Sequence, residues 1–157
     1  MAAIIENVVD IERSPEDVFD YLADQGNEPE WNPDCVSMEK LTDGPVGVGT
    51  KFRAKWKQGP VVFTEVIQYE RPRAWTYVNG GSIGCTLTVT LEPASRGTRL
   101  TSRGVWSASG LARLFFPVFI RTMRKAEVGV MTNARLALEQ HRDRAAAPGG
   151  SSDISRR

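Results

Sequence analysis

The sequence predicts an α+β domain: a curved, seven-stranded antiparallel sheet around one long C-terminal helix, with two short helices after the first strand. Three observations carry this. Strand patterns between residues 36 and 106 are joined by short Gly- or Pro-containing turns. Such turns make an antiparallel meander and leave no room for the crossovers of a parallel sheet. Residues 109–141 then change to a helical period, long enough to span a small sheet. Finally, Ser14-Pro15-Glu16-Asp17 is a strong helix start directly after an opening strand.

The opening strand is Ile4 to Glu12, β-branched and partly alternating. Ser14 caps free backbone N–H groups, Pro15 suits the first helical position, and Glu16 and Asp17 meet the positive end of the helix dipole. Val18, Phe19 and Leu22 form that helix's buried stripe, and Gly26 is placed to end it. Glu28 to Pro33 reads as a turn or a second short helix, Val36 to Leu41 as a strand, and Asp43 to Gly49 as a loop. In Lys51 to Lys57 the basic residues alternate with Phe52, Ala54 and Trp56, as on a sheet with one wet face. Further strands run over Val61 to Tyr69, Ala74 to Val78, Ile83 to Leu91 and Thr98 to Trp106. Which face of residues 61–69 points inward stays open, because a β-bulge would swap the faces midway.

On the long helix, Phe116, Phe119, Ile120, Met123, Ala126, Val130, Ala134 and Leu138 share one broad face. Pro117 is expected either to kink this helix or to mark where irregular chain becomes regular helix. Residues 142–157 are rich in Ala, Gly, Ser and Arg and are expected to be a disordered tail to a domain at 1–141. A long helix cannot close-pack along the whole of a curved sheet, so a cavity between them is expected.

Composition excludes several partners. The net charge of +1 gives no reason to expect nucleic acid. Cys35 and Cys85 fit no metal or redox spacing and read as reduced thiols of a cytoplasmic protein, with a single disulfide left open. Met1 to Asp10 lacks a basic start followed by an apolar run, so no secretory leader is expected. No apolar stretch has the length of a membrane span, so no stable membrane insertion is expected. The single histidine, His141, rules out a histidine-centred triad or a His-rich metal site and suits an exposed helix end. No metal and no cofactor are expected.

The segments Ile11 to Asp24, Trp31-Asn32-Pro33, Gly44 to Phe52, Glu65 to Arg73, Leu91-Glu92-Pro93 and Gly97 to Thr101 occur in an order that resembles a known family. It is the polyketide cyclase/dehydrase and lipid-transport-like branch of the START-like, birch-pollen-allergen-like superfamily (SRPBCC). The likeness spans about residues 3 to 140. It implies a helix-grip fold with a deep pocket for an apolar molecule such as a lipid or polyketide.

The expected pocket residues are Trp31, Phe52, Ala54, Trp56, Phe63, Trp75, Tyr77, Cys85, Leu87, Trp106, Phe116, Phe119, Met123 and Val130. A cyclase would need a positioned base and hydrogen-bond donors in a dry site. Glu65 and Tyr77 are the candidates, with Glu127, Asn133 and Arg103 behind them; each has a plain structural alternative, Glu65 on the wet face and Arg103 pointing outward. The basic stripe Lys51, Arg53, Lys55 and Lys57 reads as a solvated face, with attraction to a membrane surface as the sharper alternative. Three functions remain: binding of an apolar small molecule as carrier or sensor, a cyclase/dehydrase-type reaction, and a protein-interaction module with an incidental cavity. Exposed strand edges and the long helix leave a homodimer open.

Overall fold

The computed structural model describes the backbone of residues 2–146 and the side chains of residues 2–141. The elements follow the predicted order. Strand β1 (Ala2–Ile11) leads into α1 (Pro15–Leu22), a short 3-10 turn (Gln25–Asn27) and α2 (Glu28–Trp31). Strands β2 (Cys35–Lys40), β3 (Lys51–Trp56), β4 (Val62–Glu70), β5 (Ala74–Asn79), β6 (Ile83–Ala94) and β7 (Gly97–Ala108) come next. A 3-10 turn (Gly110–Leu114) then precedes α3 (Phe116–Ala146).

Ser14 caps α1 as its sequence implies: its side chain accepts from the Asp17 amide at 3.2 Å. The helix ends at Leu22, four residues before Gly26, because Asp24 redirects the chain by accepting from the Gly26 amide and so caps the following 3-10 turn. Pro117 lies in the first turn of α3, where its missing N–H costs nothing, and so marks the start of regular helix. Helix α3 continues past His141 to Ala146. The expected disordered tail otherwise falls on residues 147–157, outside the described residues.

All seven strands form one antiparallel sheet in the order β1-β7-β6-β5-β4-β3-β2. The meander from β2 to β7 is closed by β1, which returns to pair with β7 along its whole length. In the β6–β7 turn, Gly97 has φ 124°, and a β-carbon there would run into the Ile11 carbonyl. Glycine therefore lets this turn lie against the chain leaving β1.

The core is split. One cluster joins Val18, Phe19 and Leu22 of α1 to Trp75, Val89, Leu91 and Leu100 of the sheet and to Ala134 and Leu138 of α3. Phe19 sits at its centre, edge-on to Tyr69 and Trp75 at 4.9 and 5.3 Å. A second, smaller cluster joins Ile5 and Ala108 to Phe116 and Ile120. Helix α3, about 46 Å long at about 1.5 Å per residue, is thus pinned near both ends. Its middle residues Met123, Ala126, Glu127 and Val130 stay only partly covered.

Candidate functional site

The sheet presents two inward rows beneath the middle of α3. Register places Val66, Tyr77, Leu87, Gly104 and Ile5 side by side across β4, β5, β6, β7 and β1. The next row holds Thr64, Asn79, Cys85, Trp106 and Ala3. Gly104 has a packing reason: a β-carbon there would stand 2.7 Å from the Trp106 indole nitrogen. The bare backbone lets that indole lie flat along the inner face, where it meets Phe119 edge-on at 5.5 Å.

Between the two clusters lies a polar group of side chains. Glu28, on α2, is buried and accepts from the Asn32 side-chain amide at 2.9 Å. Its spacing of four residues from Asn32 puts both on one side of a single helical turn. Glu127, on α3, accepts from the Asn7 amide of β1 at 3.0 Å. Gln25 is buried, its side-chain oxygen taking the Thr64 hydroxyl at 2.7 Å. The Gln25 amide lies beside the Tyr77 hydroxyl. Tyr77, on the inner face of β5, is only partly buried and packs against the larger cluster.

Electrostatics in this group are one-sided. Burial pushes the Glu28 carboxyl up to about 7, the Asn32 hydrogen bond opposes this, and the Glu127 charge adds to it. Burial also raises Glu127, against the Asn7 hydrogen bond. The Tyr77 hydroxyl is raised by burial and then by Glu28, Cys85 and Glu127. Burial carries the thiols of Cys35 and Cys85 to about 12, helped by Glu28 and Glu127 respectively. Among the described residues no cation acts on any of these five groups. Among the described residues four buried donors, the Gln25 amide NH2, the indole N–H groups of Trp31 and Trp106 and the Arg135 Nε–H, have no acceptor.

Phe116 belongs to the smaller cluster and Trp106, Phe119 and Met123 pack against it; Tyr77 and Leu87 pack against the larger one; Cys85 is buried opposite Trp106 on the sheet, and Val130 is half-buried on α3. Phe52 and Ala54 are buried on the inner face, and Trp31 and Trp75 pack in the larger cluster. Trp56 is half-buried beside edge strand β2, opposite Cys35, and joins neither cluster.

Two expectations are corrected. Phe63 is 60% exposed, because it pairs with Arg53 on the outer face. Glu65 also points outward and pairs with Lys51 at 3.8 Å, so it is no base for the interior. A β-bulge between Val66 and Gln68 is the reason the alternation misleads. Thr64 and Val66 face inward before it, and Tyr69 does so after it.

The other candidates lie elsewhere. Arg103 faces out toward Glu6, and Asn133 is half-buried on α3. His141 is half-exposed beside Glu30 at 3.5 Å. The basic stripe of β3 is largely neutralised across strands, Lys51 by Glu65, Arg53 by Glu39 and Lys57 by Asp34. Both cysteines are free. Gln25, Glu28, Asn32 and Asn7 escaped the sequence reading. The only available signal was the spacing of Glu28 and Asn32, which in a four-residue helix has no periodicity to support it.

Two grooves of about 420 and 340 Å³ open on the surface. The larger is lined by Asp10, Glu12, Arg96, Arg135 and Glu139, the smaller by Tyr21, Glu30 and His141, and none of the expected pocket residues lines either. Among the described residues no helix is long and apolar enough to cross a membrane.

A seven-stranded antiparallel sheet closed over a long C-terminal helix, with two short helices after the first strand, defines the helix-grip class. The chain belongs to the family described as polyketide cyclase/dehydrase and lipid transport, whose sequence profile matches residues 2–139. Among solved structures it is similar to the di-domain aromatase/cyclase StfQ of steffimycin biosynthesis, at 13% identity and TM-score 0.74. That match covers 91% of this chain and 52% of StfQ, so the chain spans about half of that protein. It is similar to Ara h 8.0201, at 17% identity and TM-score 0.69, over 89% of this chain and 99% of that one. It is also similar to a norcoclaurine synthase point mutant from Thalictrum in complex with a transition-state analogue. There the identity is 14% and the TM-score 0.66, over 90% of this chain and 97% of that one. Identities this low carry the fold alone. Among curated protein sequences none matches this chain.

Proposed function

We propose that this protein binds an apolar small molecule in the space between the middle of α3 and the inner face of the sheet. The observation that supports this reading is the split core: α3 is packed at Phe116 and Ile120 and again at Ala134 and Leu138, while Met123, Ala126 and Val130 between them, and Tyr77 and Leu87 on the inner face, are only partly buried. The wall chemistry narrows the ligand. Trp106, Phe119, Leu87 and Met123 offer apolar and aromatic surface. The free N–H groups of Gln25 and Trp106 would take carbonyl or ether oxygens, and the carboxyls of Glu28 and Glu127 would take hydroxyl protons. A ligand ionised as a carboxylate would meet two acids and no cation. The ligand is therefore a neutral, oxygen-bearing apolar molecule of polyketide-like chemistry rather than a free fatty acid.

The test is native mass spectrometry of freshly purified protein, followed by denaturing extraction of whatever is bound. A neutral oxygenated compound in stoichiometric amount supports the reading. A fatty acid, or protein that takes up no neutral polyphenol or polyketide at millimolar concentration, overturns it.

A second reading, a cyclase/dehydrase-type reaction, is favoured by Glu28. A buried carboxyl pushed up to about 7 is poised to exchange a proton near neutrality. It would accept a proton from carbon while the Gln25 amide N–H steadies the enolate oxygen. Turnover of a poly-β-ketone mimic that is abolished in Glu28→Gln would favour this reading. Equal turnover in both proteins would remove it.

A further inference from the structure

The stretch between β7 and the middle of α3 carries two apolar stripes. Ala112, Phe116, Phe119, Ile120 and Met123 face the core, and Phe116 and Ile120 are buried there. A second stripe, Leu111, Leu114, Phe115 and Val118, has the same helical spacing but faces solvent, with exposures of 80, 73, 70 and 70%. Scattered exposed apolar residues are ordinary, but four within eight residues, each at least 70% exposed, are a local concentration of apolar surface. Nothing within the described fold covers them.

Charge beside the patch is of one sign. Between Ala108 and Ala126 the chain holds Arg113, Arg121, Arg124 and Lys125 and no Asp or Glu. Among the described residues none of the four cations forms an ion pair, unlike the paired stripe on β3. Sheet register adds a third fact. Ser107 pairs with Ala2, Ile83 with Ala108, and Asn79 with both Cys85 and Thr64. The β3–β4 turn, the β5–β6 turn and residues 109–115 therefore lie at one end of the sheet, where Val61 is exposed as well.

We infer that this end of the molecule docks on an anionic lipid surface, with Leu111, Leu114, Phe115 and Val118 entering the interface and the four cations meeting the headgroups. An apolar stripe flanked by unpaired cations is the pattern of a segment lying in a membrane interface. Each cation near an anionic surface adds to the attraction, and salt screens it. A second copy of the chain would suit the apolar stripe but would bring four like cations to the same contact.

The full chain is tested by co-sedimentation with vesicles of phosphatidylcholine alone and with about one-third phosphatidylserine. Binding to the anionic vesicles is expected, weakened at least about tenfold by half-molar salt and lost in Leu114→Asp combined with Phe115→Asp. Those side chains are exposed, so the double variant should keep the wild-type melting curve. Leu111→Asp, in the preceding turn, gives an independent variant should that pair fail to fold. Wild-type protein that stays in the supernatant with both vesicles overturns the proposal. So does light scattering that shows a dimer converted to monomer by the same substitutions, since the occupant would then be a second copy.

Discussion

Glu28 is the residue whose surroundings say most about the interior. A carboxyl taken out of water favours its neutral form, and the Asn32 amide offsets only part of this. Its folded value, about 7, lies above the ordinary 4.5. The folded state therefore holds more protons than the unfolded state between these values, and stability falls as pH rises through that window. The full loss is about 3 kcal/mol, reached a little above pH 7. Glu127, raised by the same cause, acts in the same direction. Glu28→Gln should flatten the slope, leaving the variant equal to wild type near pH 4.5 and more stable at pH 8. Urea unfolding at the two pH values measures this; a wild type equally stable at both would contradict the buried carboxyl. Cys35 and Cys85 make a companion prediction. Both thiols are buried and raised to about 12, so little thiolate exists at neutral pH. A thiol reagent should label neither in the native protein within the time that it labels both in denaturant. Fast native labelling of one would place it on a solvent path.

Among the elements, α1 and β4 show how local rules and long-range pairing divide the work. Helix α1 forms where Ser14 and Pro15 put it, and its apolar stripe delivers Phe19 to the larger cluster. Phe19→Ala would leave a cavity between Tyr69 and Trp75, at a cost of about 3–5 kcal/mol. Chemical denaturation should show the loss, and a change under about 1 kcal/mol would mean the cluster can collapse onto the gap. Strand β4 cannot be oriented from its own residues, since its bulge reverses the inward parity between Val66 and Tyr69. That reversal puts Phe63 and Glu65 outside, where simple alternation from the wrong end would bring them in. Gly104 on β7 looks like a weak point in a strand, yet it makes room for Trp106. Gly104→Val should shift the Trp106 indole and weaken ligand binding without unfolding the sheet. Retained affinity with unchanged tryptophan emission would show that the indole is not part of the wall.

At the scale of the whole molecule, the split core sets where the proposed ligand would sit. Helix α3 is held at Phe116 and Ile120 on one side and at Ala134 and Leu138 on the other. The middle, at Met123, Ala126 and Val130, is only partly covered. Met123→Trp should therefore keep the melting temperature while lowering occupancy by about tenfold, or about 1.4 kcal/mol. Tyr77→Phe should lower occupancy less and leave the melting curve nearly unchanged. Native mass spectrometry reads both, and a Met123→Trp protein that binds normally would move the site away from α3.

The sequence by itself determined the elements and their order. Period-two alternation, the Ser14 cap, the Gly-containing turns and the helical period after Ser109 are local signals, readable without knowing what touches what. It also determined the apolar face of α3 and the inward set Phe52 and Ala54. Only the tertiary structure decided that β1 closes the meander on β7, that a bulge turns Phe63 and Glu65 outward, and that Gln25, Glu28, Asn7 and Glu127 meet in one interior. Those residues come from four separate elements, two of them single short turns. No periodicity links them along the chain, and only the pairing of distant strands brings their side chains together.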